Sequence, residues 1–112
     1  MYKINQGTTA RISFTITDYD GVPVPFSNIS TATMSIVDYD SNSVIISGQN
    51  IKPNITESGV CTVYLSGDTN KVLDENKPYE KHIIFVTVSG VGGSAPQITH
   101  EVIVQINNLR VV

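Results

Sequence analysis

Apolar residues in this chain recur at every second position, run after run, with turn-forming residues between the runs. Along 11–18 the apolar positions are Ile12, Phe14 and Ile16, alternating with Ser13, Thr15 and Thr17. The run 31–38 repeats the pattern with Ala32, Met34 and Ile36, and 59–66 repeats it with Cys61, Val63 and Leu65. A period of two belongs to a pleated strand with one buried face; a helix face repeats every 3.6 residues instead. The side chains agree. Ile and Val supply 28 of the 112 residues and Thr 11, against 6 for Leu and Ala together. Branching at Cβ stiffens χ1 and suits a pleated surface better than a helix.

The turns between the runs have a mechanism of their own. Asp18-Tyr19-Asp20-Gly21 ends the first run, because Asp tolerates a left-handed backbone and Gly adopts it freely. Val22-Pro23-Val24-Pro25 then reads as an edge or an extended crossover, since proline cannot donate to a ladder. Asp38–Asn42 is the next turn, and 43–48 returns through Val44 and Ile46 as a hairpin partner. Pro53 interrupts a short edge strand expected over 51–55. Residues 68–76 are the one helical candidate, expected as one short turn or two, with Asp68 or Thr69 as the cap, Val72 and Leu73 packing down, and Pro78 as the stop. The two longest runs, 79–88 and 97–106, flank Gly90-Val91-Gly92-Gly93-Ser94-Ala95-Pro96 as a hairpin with a long tip.

Seven to eight short strands with a turn every 8–12 residues predict an all-β, immunoglobulin-like antiparallel sandwich; a closed barrel is the alternative. At 112 residues the chain is one domain, 1–112. The strand 79–88 is apolar on both sides. Ile83 and Phe85 lie on one face; Ile84, Val86 and Val88 lie on the other. Either the helical segment or a loop covers the second face, or that face is an apolar stripe used for assembly.

Chemistry-bearing constellations are sparse. Asp18, Asp20, Asp38 and Asp40 stand in two turns whose Asp-x-Asp spacing lacks the remaining ligands of a calcium loop, so turn formation explains them. His82 and His100 lie on the two strands of one hairpin without facing each other in a simple register. Zinc would need further ligands that Cys61 alone does not supply, so both histidines read as half-buried or surface residues. Cys61 alternates with core residues and reads as a small hydrophobe. No nucleophile elbow, phosphate loop or dinucleotide fingerprint occurs, and the glycines at 90–93 join two strands rather than opening a helix. These patterns predict a non-enzymatic protein with no cofactor and no metal. A net charge of −3 argues against nucleic acid, which requires a basic footprint. The N-terminus lacks a secretory leader pattern, and the longest apolar run, Ile83–Val86, is too short for a membrane span. The expectation is a complete small gene product that is neither exported by the usual route nor membrane-bound. A single cysteine leaves stability to packing.

The order of elements carries a resemblance. Lys3-Ile4-Asn5-Gln6-Gly7-Thr8-Thr9 leads into Ile12–Asp18. Then come Asp20-Gly21-Val22-Pro23-Val24, Ala32-Thr33-Met34-Ser35-Ile36 and Ser58-Gly59-Val60-Cys61-Thr62-Val63. Across most of 3–88 this resembles the N-terminal module of the baseplate upper protein family of tailed bacteriophages, and similar immunoglobulin-like modules of phage structural proteins. The resemblance implies a virion component, made in the host bacterial cytoplasm, that docks by protein–protein contact as a baseplate or tail adaptor or a capsid decoration protein. In that family a linker and a distal receptor-binding part usually follow; here the chain stops at Val112. Partners on this reading are other virion structural proteins, or copies of the chain itself. The expected interface comprises Ile4, Ile84, Val86, Val88, Val91, Val111 and Val112. The alternative is a receptor- or glycan-binding module whose loop tips present Tyr19, Asp20, Tyr39 and Asp40.

Overall fold

The computed structural model describes residues 2–18, 20–89 and 98–108. Among these residues seven strands form two sheets. β1 (Tyr2–Asn5), β3 (Thr31–Asp38), β4 (Val44–Asn50), β6 (Tyr79–Ser89) and β7 (Ile98–Asn107) make a five-stranded sheet in the order β1-β7-β6-β3-β4. β2 (Ala10–Thr15) and β5 (Val60–Leu65) make an antiparallel ribbon across from it. This is an all-β sandwich. The order β7-β6-β3-β4 facing β2-β5 is that of the G, F, C, C′ and B, E strands of an immunoglobulin-type domain, with β1 added in parallel beside β7.

The period-two runs become the inner faces. Ile12, Cys61, Val63 and Leu65 of the ribbon pack on Ala32, Met34, Ile36, Ile84, Val86, Val88, Val104 and Ile106 of the larger sheet, all at most 2% exposed. Burial at Cys61 pushes the thiol up to about 11, which removes the thiolate that would react. The native protein is therefore expected to leave a disulfide thiol reagent unconsumed until urea is added; colour development before unfolding would contradict this packing.

Four expectations are corrected. First, Ile84, Val86 and Val88 are core residues, not an exposed stripe; the partly open face of β6 carries Ile83 and Phe85. Second, Ile4 is a buried residue rather than part of an open interface, because its strand completes the molecule's own sheet beside β7. Third, residues 68–76 form turns, not a helix. The N–H groups that a helix would need are taken elsewhere: Val72 donates to Gln6 Oε1 (2.9 Å), and Leu73 and Asp74 donate to the Glu80 carboxylate (2.6 and 2.7 Å). Fourth, the edge strand expected at 51–55 is a 3-10 turn, Lys52–Asn54, as is Phe26–Asn28. Proline at the start of such a turn has no N–H to waste.

The loop 66–78 is pinned instead by buried amides. The Asn70 side chain donates to the carbonyls of Thr8 (2.7 Å) and Leu65 (3.3 Å), and Asn108 donates to those of Glu75 (2.9 Å) and Lys77 (3.1 Å). At its start, the carbonyl of Gly7 stands where a Cβ on Gly67 would go, so this close approach requires glycine.

Candidate functional site

Two features carry functional chemistry: the outer face of the large sheet, and a buried polar cluster at one end of the sandwich. The outer face follows from register. Val37 pairs with Val44 on one side and Ile83 on the other, and Ile83 pairs with Ile103. One apolar row therefore crosses four strands, β4-β3-β6-β7. Phe85 lies one row away between Ser35 and Glu101. Val37, Ile83, Phe85 and Ile103 are partly exposed and Val44 is 64% exposed. A shallow depression lined by Tyr2, Glu101, Val102 and Ile103 lies where β1 meets β7. Charge on this face of the strands is limited to Lys3, Lys81 and Glu101.

The polar cluster forms where β3 ends and β6 begins. Asp38 and His82 are cross-strand partners, and Glu80 shares the inward face of β6 with His82, two residues away. Their residue exposures are 3%, 1% and 3%. His82 Nε2 lies 3.4 Å from Glu80 Oε1 and 3.9 Å from Asp38 Oδ1. Donors outside the cluster hold both carboxylates, and Glu80 Oε1 is shared between His82 and one of them. Asp38 Oδ2 accepts from the Ser41 N–H (2.9 Å) and hydroxyl (2.7 Å); Glu80 Oε2 accepts from the Asp74 N–H, and Oε1 from that of Leu73. Burial alone would raise the Asp38 carboxyl. The Ser41 hydrogen bonds, aided by attraction to the neighbouring His82 and Lys77 side chains, outweigh it and hold the group below its ordinary value. The chain reaches this geometry through a tight turn, in which Asn42 adopts φ 58° and its N–H donates to the Asp38 carbonyl (2.9 Å).

The loop-tip residues do not converge. The Asp18–Gly21 turn extends from the end of the sandwich where the Thr17 N–H donates to His100 Nε2 (3.4 Å). The Asp38–Asn42 turn lies at the other end, where the Tyr39 N–H donates to the Lys81 carbonyl (2.9 Å). Asp20 is therefore at the opposite end from Tyr39 and Asp40, all three exposed, and the two Asp-x-Asp turns cannot share a ligand. Turn formation accounts for Asp18, whose Oδ1 accepts from the N–H groups of Asp20 (2.9 Å) and Val22 (3.0 Å). Tyr19, Val91, Val111 and Val112 lie outside the described residues.

The histidines separate as their spacing implied, His82 facing Val104 and His100 facing Val86 across the hairpin. Their burial differs, however. His100 is partly exposed and tilts against Phe14 at 5.8 Å between ring centroids, whereas His82 is fully buried. The Asp38–Glu80–His82 grouping was missed. Its one sequence signal is Glu-x-His on a strand, which becomes informative only once the register sets Asp38 opposite the histidine. No helix is long and apolar enough to cross a membrane, among the described residues. No protein-family model, curated protein or solved structure matches this chain.

Proposed function

We propose that this protein is a non-enzymatic structural component of a tailed-phage virion, docking as an adaptor or decoration module through the outer face of its five-stranded sheet. The observation that supports this reading is the apolar row Val44–Val37–Ile83–Ile103 with Phe85 beside it. A sandwich sheet normally alternates apolar inside with polar outside, and this one keeps large apolar groups on its open side. Only three charges, Glu101 beside Phe85, Lys81 next to the row and Lys3 on the β1 edge, leave the face suited to a flat, weakly charged surface on a neighbouring virion subunit rather than to a polyanion. Repetition on a symmetric particle multiplies a modest contact of this kind.

The test is incorporation into purified particles of the phage that encodes the chain. The wild-type protein is expected at a fixed copy number per particle. Ile83→Glu, a change on the open face, is expected to leave the thermal midpoint nearly unchanged and to abolish incorporation. Particles lacking the wild-type protein, or carrying the variant at full occupancy, would overturn the reading.

A further inference from the structure

We propose that Asp38, Glu80 and His82 form a three-ligand site for a first-row divalent cation, with zinc as the best-matched ion. Asp38 Oδ1, Glu80 Oε1 and His82 Nε2 all lie within 4.8 Å of one another on side chains that are almost wholly buried. Around a tetrahedral zinc, with bonds near 2.0–2.2 Å, ligand atoms sit about 3.3–3.5 Å apart. The His82–Glu80 hydrogen bond of 3.4 Å already has this length; the His82–Asp38 separation of 3.9 Å must close by about half an ångström, and the two carboxylate oxygens, within 4.8 Å of each other, must draw together as the ion replaces the hydrogen bond.

The second observation is the way the carboxylates are held. Asp38 is anchored through Oδ2 by Ser41, which leaves Oδ1 turned to the imidazole at 3.9 Å, too far for a hydrogen bond. Glu80 is anchored by two backbone N–H groups, from Leu73 and Asp74, with Oε1 directed at the same nitrogen. Outer-shell donors that orient ligating carboxylates in this way are a general feature of metal sites. The third is charge. Around a neutral imidazole two buried carboxylates carry a net negative charge, which a divalent ion would offset while bonding all three ligand atoms directly. Two carboxylate oxygens and one imidazole nitrogen suit zinc, with cobalt as its spectroscopic substitute. Such an ion would cross-link the end of β3, the start of β6 and, through the Glu80 carboxylate, the 72–74 loop.

The experiment uses the full chain refolded from urea in the presence of Co²⁺, so that burial does not bar access, followed by displacement with Zn²⁺. Expected are visible cobalt d–d bands that zinc bleaches. The thermal midpoint should rise by about 5 °C or more when zinc is well above its dissociation constant, relative to chelator-treated protein. His82→Gln and Asp38→Asn, each checked for folding by circular dichroism, should lose both signals; His100→Gln and Cys61→Ala should keep them. Because a His82 variant could fail to fold, the wild-type protein provides an independent readout. Co²⁺ should shift or broaden the ring-proton resonances of His82 while sparing those of His100. Absence of bands and of paramagnetic effects in the wild-type protein would overturn the proposal. So would signals that survive His82→Gln but vanish with His100→Gln or Cys61→Ala.

Discussion

Truncating Ile84 to alanine is expected to lower the unfolding free energy by about 2–5 kcal/mol, whereas the same truncation at Ile83 should cost less than about 1.5 kcal/mol. The two residues are chemically identical neighbours on β6, so the contrast isolates the direction each side chain faces. Ile84 is fully buried between the sheets, paired with Ile36 on one side and Val102 on the other. Removing three carbons there leaves a cavity lined by β-branched side chains that have little freedom to collapse into it. Ile83 stands on the open face, where solvent takes up the space. Urea unfolding of both variants, read with a common m-value, checks the contrast. Equal losses would mean that the outer face is covered in the folded chain, and the docking reading would fall with it.

The second large effect is expected at Glu80. Replacing it with glutamine should destabilise the protein by about 2–4 kcal/mol, although the side chain keeps its size. The carboxylate accepts two backbone N–H bonds at 2.6 and 2.7 Å, both charge-assisted, in a site with 3% residue exposure. A glutamine amide presents one oxygen and one NH₂ group, so one of those N–H groups would face a donor. The loop 72–74 should therefore loosen first. Hydrogen exchange at the Leu73 and Asp74 amides is the direct measurement: protected in the wild-type protein, these amides should exchange far faster in the variant. Unchanged protection at both positions would show that the loop is held by other contacts and that Glu80 has no structural claim on it.

These expectations also show what the linear pattern could and could not convey. The inner faces of β2, β3 and β5 were legible because their alternation is unambiguous: Ile12 in β2 and Ile16 just beyond it, Ala32 to Ile36, and Cys61 to Leu65 each alternate with residues that face outward. β6 defeats that logic. Its even positions include Glu80 and His82, which read as solvent-facing and suggest that Ile84, Val86 and Val88 face outward with them. The opposite holds, because both polar residues are buried in order to serve distant groups: Glu80 the N–H groups of Leu73 and Asp74, His82 the carboxylates on either side. The helix expected at 68–76 failed for a related reason. Val72 and Leu73 have suitable side chains, yet their backbone donors are satisfied by Gln6 and Glu80, partners 66 and 7 residues away.

The sequence by itself determined that the chain is all-β, because side-chain stiffness and a two-residue period are local properties that need no partner; that the strands divide into two sheets rather than close into a barrel was settled by the structure. The sequence also located the Asp38–Asn42 turn and the 79–106 hairpin, which rest on glycine, asparagine, aspartate and strand chemistry close at hand. Only the tertiary structure decided which side of β6 is the core, and that Ile83 rather than Ile84 belongs to the open apolar row. It alone decided that the two Asp-x-Asp turns lie at opposite ends, and that Asp38, Glu80 and His82 meet. The physical reason is register. Cross-strand pairing over more than forty residues sets which side chains become neighbours, and no local propensity encodes that pairing.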